Sequence, residues 1–143
     1  MNFVKLSPTF FAKYSDCEEI LHKGSDRPYA CFRVKIDGMD FAIPIRHHIK
    51  HSYAFHTIGE AGLDYSKAVI INEDADILEH NAIIDSDEWS IIKSNKDKIR
   101  YQFKGYLNQV KRAFAHPDNP RSQRLLEYSA LKYFKEEIIE NND

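Results

Sequence analysis

Two alternating runs joined by Asp37-Gly38 constrain this chain more than any other feature. Phe32, Val34 and Ile36 alternate with Arg33 and Lys35; after the turn, Met39, Phe41, Ile43 and Ile45 alternate with Asp40, Ala42 and Pro44. A period of two sends one set of side chains to one face of a sheet, and Asp-Gly tolerates the positive φ angles of a two-residue turn. The segment from Ala30 to Ile45 therefore predicts a β-hairpin with one apolar face. Pro44 has no N–H for a ladder, which predicts an edge or a bulge there and a strand that frays or bends just before Arg46. Directly after it come Arg46, His47, His48, Ile49, Lys50 and His51, five of them cationic or titratable.

The other segments are read around this hairpin. Ser7-Pro8 has the form of a helix start, a hydroxyl cap followed by a proline whose missing N–H costs nothing at the first helical position. Phe10, Phe11 and Tyr14 give that helix an aromatic face. A second short helix is expected from Ser15 or Asp16, with Ile20 and Leu21 as apolar contacts and Gly24 as its stop, followed by a loop to Pro28. Tyr53 to Ile58 reads as a short strand, Gly62 to Lys67 as a turn, Ala68 to Ile71 as a buried strand, and Ile77-Leu78 as a short strand or turn.

The last third is helical. Asp85 and Glu88 have the spacing of a capping box. Ile99, Phe103, Leu107, Val110 and Phe114 then recur at intervals of three and four along a long helix. After His116 to Pro120, a terminal helix is expected from Ser122 to Ile138, with Leu126, Ala130, Tyr133 and Phe134 on its apolar side. The sum is an α+β fold: a compact, curled antiparallel sheet of about four or five strands with flanking helices and a helical C-terminal third.

A chain of 143 residues with 43% hydrophobic content and seventeen Phe and Tyr can bury one core, so residues 1–143 are expected to form a single domain. No apolar run approaches the roughly 20 residues of a membrane span, and the N-terminal stretch lacks the apolar region and cleavage site of a signal peptide. A cytoplasmic protein without a membrane partner is expected. Cys17 and Cys31 sit among apolar neighbours and read as free thiols. The net charge of −2 hides a segregation: Glu60 to Ser90 holds nine acidic residues and one basic, whereas Lys93 to Arg124 holds nine basic and two acidic. That pattern fits two solvated faces that satisfy each other, or a basic helical wall facing a polyanion.

The chemistry of the Arg46–His51 run follows from its residue types. Cleaving RNA by internal attack of the 2′-OH needs a proton acceptor, a proton donor for the leaving 5′ oxygen, and cations for the phosphorane. Imidazoles titrating near neutrality and a guanidinium that grips two phosphate oxygens supply these. His47 and His51 are four apart and His48 and His51 three apart, a spacing that also suits metal ligation in a helical loop. No Cys or carboxylate nearby in sequence completes a set, so neither a metal nor another cofactor is expected. The bland alternative is a solvent-exposed loop without chemistry.

Four segments together resemble the toxins of type III toxin–antitoxin systems, the ToxN-like endoribonucleases and most closely their TenpN branch. They are R-P-Y-A-C-F-R-V-K-I-D-G-M-D-F-A-I-P-I-R (Arg27 to Arg46), G-L-D-Y-S-K-A-V-I-I (Gly62 to Ile71), I-K-S-N-K-D-K-I (Ile92 to Ile99) and L-E-Y-S-A-L-K-Y-F (Leu126 to Phe134). The likeness lies in their order from Met1 to Phe134, since none is a strict catalytic signature. The resemblance implies a half-open, barrel-like sheet and metal-independent, sequence-selective cleavage of cellular mRNA that leaves a 2′,3′-cyclic phosphate. It also implies inhibition by an antitoxin RNA of tandem pseudoknot repeats, which the toxin cuts from a precursor and holds in a closed toxin–RNA hetero-oligomer.

Residue by residue, the ToxN-like pattern places a hydroxyl pair and then a lysine after the proline step of the strand, where this chain has Arg46, His47 and Lys50. A histidine there can itself move a proton, so the resemblance and the residues together nominate His47, Arg46, Lys50 and His51 as catalytic. Candidate RNA contacts are Arg27 and Tyr29, the latter matching a family lysine before the first hairpin strand, with His48, Tyr53 and Lys67. Trp89, with Ser86 and Ser90 on the same short helix, is placed near the substrate by the resemblance. Core packing, capping and solvation explain several of these equally well. The rival reading from another class is a non-catalytic RNA-binding module using the same cationic loop.

Overall fold

The computed structural model describes residues 3–20, 30–78 and 86–140. The hairpin forms as the alternation requires: β2 (Ala30–Ile36) and β3 (Met39–Arg46) pair antiparallel from Ile36↔Met39 to Cys31↔Pro44. Asp37 and Gly38 take φ of 54° and 81°, the two positive values of a tight hairpin turn. β1 (Phe3–Leu6) lies along the other edge of β2, and β7 (Ile77–Leu78) pairs with β1.

The far edge of β3 is shared. β6 (Val69–Ile70) pairs with Phe41 and Ala42, whereas β5 (Gly62–Asp64) pairs with Ile45 and Arg46. The break between these partners falls at Ile43 and Pro44, where proline cannot donate. The strand does not fray there: Arg46 is still paired, opposite Gly62. β4 (Ala54–His56) pairs with β5 and ends the sheet, whose order is β4-β5-β3-β2-β1-β7 with β6 beside β3. Among the described residues this is a seven-stranded antiparallel sheet that does not close.

Two strands exceed the sequence expectation. β1 is four residues long, too short for its alternation to stand out ahead of the Ser7-Pro8 helix start. β5 occupies residues that read as a turn, because Gly62 and Asp64 are poor strand formers; only Tyr65–Lys67 turns, as a single 3-10 turn. Residues 15–20 form turns rather than a second helix, and the remainder of that expected helix, with Gly24, lies outside the described residues. The helix start at Ser7 is as read: α1 spans Pro8–Lys13 and the Ser7 hydroxyl accepts from the Phe10 N–H.

Of the other helices, α2 spans Ser86–Ser94 and α3 Lys96–Ala115. Asp85 and its expected cap lie outside the described residues. The α3 stripe is buried throughout, and Phe103 packs edge-on against Phe41 of β3 at 5.0 Å between ring centroids. Truncating such a ring costs about 3–5 kcal/mol. The expected terminal helix is instead two, α4 (Pro120–Tyr128) and α5 (Lys135–Glu140), separated by extended Ser129 and a 3-10 turn over Ala130–Phe134. Ser129 is fully buried and accepts a hydrogen bond from the Tyr106 hydroxyl at 2.7 Å, which fixes the break against α3. The second face of the hairpin is covered at its exit end, where Ala42 and Pro44, which alternation assigns to a polar face, are buried near Leu6, Phe11 and Val69, and stays open to water at Arg33, Lys35 and Asp40.

Candidate active site

A single carboxylate collects the chemistry at the exit of β3. Asp64, the last residue of β5, is fully buried. Its Oδ2 accepts from an Arg46 amino group at 2.6 Å. Its Oδ1 accepts from the Ser66 backbone N–H at 3.0 Å and the Ser66 hydroxyl at 2.6 Å, and lies 3.2 Å from His51 Nε2. A buried carboxylate is tolerated only when its oxygens are satisfied in this way. The Ser66 N–H bond also caps the 3-10 turn, so one side chain both ends the strand and sets the site.

Sheet register delivers these groups. Arg46 and His56 both lie opposite Gly62, and Ala54 lies opposite Asp64. A Cβ on Gly62 would come 2.1 Å from the Phe55 carbonyl oxygen, so only glycine lets β4 approach closely enough. Between β3 and β4 the loop is held by Ile49, whose side chain is buried and whose N–H donates to the Glu60 carbonyl at 2.8 Å. His48 takes a φ of 61° just before it.

His51 has a defined proton. Its Nδ1 accepts from the Tyr53 backbone N–H at 3.1 Å, which leaves the hydrogen of the neutral ring on Nε2, facing Asp64. A serine-hydrolase triad is not formed. Ser66 Oγ lies 3.4 Å from the same Nε2 that faces Asp64, gives its hydrogen to the carboxylate, and is buried. Nucleophilic relay instead divides the two ring nitrogens between acid and hydroxyl.

Lys67 completes the neighbourhood. Its ammonium donates to the Tyr128 carbonyl at 2.7 Å. Partial burial lowers its pKa; the Asp64 charge opposes that shift and the Arg46 charge adds to it. Tyr53 covers the other side, 6.0 Å from the His51 ring and 5.6 Å from Tyr106. Tyr65 and Tyr106 stand behind it with their phenol pKa values raised by burial.

Of the four residues nominated as catalytic, Arg46 and His51 therefore meet on Asp64. His47, His48 and Lys50 are exposed on the loop and, among the described residues, form no ion pair or hydrogen bond with the cluster. Lys67 and Tyr53 border it. Trp89, Ser86 and Ser90 are exposed on α2, where Lys93 sits 5.3 Å over the indole ring. α2 is joined to the end of β4 by a Thr57 to Glu88 hydrogen bond of 3.0 Å, and among the described residues those three side chains make no hydrogen bond to Asp64. Arg27 and Tyr29 lie outside the described residues. Among the described residues no three His, Cys, Asp or Glu side chains converge as a metal set, and no helix is long and apolar enough to cross a membrane.

Sequence reasoning missed Asp64 and Ser66. The available signal was D-Y-S, an acidic residue followed two places later by a hydroxyl, which is the spacing of a side-chain-capped turn. No protein-family model matches the chain, and no curated protein matches it in sequence. A solved structure does match: the ToxN toxin–antitoxin complex, from work on a processed non-coding RNA that regulates a bacterial antiviral system. Identity is 16% and the TM-score 0.61, over 78% of this chain and 87% of that one. Across that span the α+β architecture is the same, and the chain has a ToxN-like fold.

Proposed function

We propose that this chain is the toxin of a type III toxin–antitoxin system, a metal-independent endoribonuclease restrained by an RNA antitoxin. The observation that carries the reading is the convergence of Arg46, His51 and Lys67 around buried Asp64, at the position in a ToxN-like fold where the hairpin strand ends. In the proposed reaction Arg46, oriented by Asp64, turns its remaining N–H groups to the non-bridging oxygens of the scissile phosphate. Lys67 adds a second positive charge as the phosphorane forms.

His47, next in the chain and exposed, accepts the 2′-OH proton as the 2′ oxygen attacks phosphorus. The P–O5′ bond breaks, and His51 acts as an imidazolium with its Nε2–H held by Asp64. It gives an Nδ1 proton, in place of its resting contact with the Tyr53 N–H, to the departing oxygen, leaving a 2′,3′-cyclic phosphate, a 5′-hydroxyl and a neutral ring. Lys50 and His48 hold flanking phosphates. The restraining partner is an antitoxin RNA of pseudoknot repeats, cut by the toxin and kept in a closed toxin–RNA assembly; free toxin acts on cellular mRNA.

The test is cleavage of a synthetic RNA in EDTA by the native protein and by the His51→Ala and His47→Ala variants. Undiminished native cleavage with cyclic-phosphate ends, and a fall of about 10²–10⁴-fold in each variant, is the expected result. Products ending in a 3′-hydroxyl, or inactivation by EDTA, would overturn the mechanism. Native protein that binds RNA and never cuts it would leave the chain a binding module.

A further inference from the structure

The site opens onto a groove that the cleavage chemistry does not use. Between α3, α4 and the ring of Tyr53 lies a depression of about 760 Å³. Arg112 enters it from the last turn of α3, and Arg121 and Arg124 enter it from α4, three residues apart and so on one side of that helix. His116 stands at the corner between the helices. Among the described residues no Asp or Glu lines the groove, and none of the three guanidiniums has a carboxylate partner. The corner of residues 116–119, closed by the Asn119 cap, brings α4 against α3, so cations of both helices line the same depression.

Two exposed aromatics border this basic surface, Tyr53 at 38% and Tyr128 at 61% exposure. Both also touch the catalytic cluster. Tyr53 neighbours the His51 ring, and the Tyr128 carbonyl holds the Lys67 ammonium. Tyr53 and Gln109 also line a smaller recess of about 230 Å³ against Tyr65 and Tyr106, so the two depressions share a wall, and Tyr53 in that wall neighbours the His51 ring.

We infer that this groove is a track for single-stranded RNA, holding the nucleotides on one side of the scissile linkage; the inference rests on the nuclease reading above. Spaced guanidiniums in a concave surface follow a phosphate backbone, and exposed rings stack on unpaired bases. A duplex keeps its bases stacked inside and offers Tyr53 and Tyr128 nothing to stack on, so the track selects single strands. An acidic peptide would match the charge and leave the rings unused. The basic residues of α3 and α4 are thus divided by position: Lys111 pairs with Asp37 at 3.6 Å, whereas Arg112, Arg121 and Arg124 serve the substrate.

The experiment measures binding of a 2′-O-methyl oligouridine of about twelve nucleotides, which cannot undergo internal attack, across a potassium chloride series. The same strand in a duplex and an oligoglutamate peptide are the competing probes. The native protein should bind the single strand at least 10-fold more tightly than either. The Arg112→Ala/Arg121→Ala/Arg124→Ala variant should lower the slope of log K against log salt by about 2, near 0.7 for each phosphate it no longer neutralises. Tyr128→Ala should weaken binding about 10-fold.

Cleavage gives a second readout. The triple variant should lose kcat/KM on long RNA and keep it on a dinucleotide, which is too short to enter the groove. Native affinity and native salt slope in the triple variant, or equal binding of duplex or peptide, would overturn the track. Because the oligouridine is never cut, absence of nuclease activity would refute the proposed reaction and still leave the track decided by binding.

Discussion

β3 carries two arginine–aspartate pairs at opposite ends of the hairpin, and the contrast between them separates holding a sheet together from building a site. At the turn end Arg33 of β2 meets Asp40 across the ladder through Nε, at 2.9 and 3.0 Å, and an amino group at 2.5 Å. Both side chains are partly exposed, at 27% and 16%. At the exit end Arg46 meets Asp64, and here the acid is wholly buried while the arginine remains 29% exposed. Asp64 also binds Ser66 twice and faces His51. The first pair sets Nε and an amino group on one carboxylate. The second uses one amino group and keeps donors for something else.

The largest expected effect comes from breaking the second pair. Asp64→Asn removes the charge that orients both Arg46 and His51, and should lower RNA cleavage by at least about 10³-fold, with a loss of about 2–4 kcal/mol in urea unfolding from the unpaired buried partners. Asp40→Ala should leave cleavage unchanged. If the two substitutions damage cleavage equally, the distinction between the pairs is wrong.

Much of this architecture was legible in the chain, and what was hidden follows a physical pattern. Hairpin, α1 and the α3 stripe each rest on a local period or cap, so they could be read directly. β5 could not, because Gly62 is there to admit the Phe55 backbone and Asp64 to bind side chains from β3 and the next turn. Those demands come from residues distant in sequence and override strand propensity. The terminal helix reads as continuous for the same reason: buried Ser129 answers to Tyr106, 23 residues away. In the cationic run, composition singles out the strand exit but not which side chains meet there, while buried Ile49 anchors the loop. Arg46 and His51 reach Asp64, and His47, His48 and Lys50 do not.

The two glycines of this region extend the contrast. Gly62→Ala drives a methyl group into the Phe55 carbonyl, must push β4 from β5, and should cost about 3 kcal/mol together with most of the activity. Gly38→Ala meets no atom within 4 Å and carries only the strain of φ 81°, about 1–2 kcal/mol, with cleavage intact. Urea midpoints and initial cleavage rates on both variants distinguish a site-forming glycine from a turn-forming one.

Alkaline pH probes the wall behind Asp64. Burial raises the phenols of Tyr65 and Tyr106 above their ordinary value of 10.0, and pushes the Cys31 thiol up to about 12. The folded state therefore keeps protons that the unfolded chain releases. Stability is complete below the ordinary values and falls as pH climbs past 9 to 10, by up to about 1.4 kcal/mol per pH unit for each group. Tyr65→Phe should make that fall shallower at the Asp64 end, whereas Arg33→Ala should leave its slope as it was. A Tyr65→Phe protein with the native alkaline slope would remove the phenol from the account.

The smallest effect is expected at the turn, and it tests the comparison most sharply. A double-mutant cycle on Arg33 and Asp40 isolates their coupling from the packing of the arginine stem. Water reaches both side chains, and the β2–β3 ladder continues on either side of the pair, so the coupling should be below about 1 kcal/mol despite three short hydrogen bonds. The corresponding cycle on Arg46 and Asp64 should be larger because one partner has no access to water, and it should move cleavage and stability together. Equal couplings in the two cycles would mean that burial of Asp64 contributes nothing, and that the exit of β3 is held no differently from its turn.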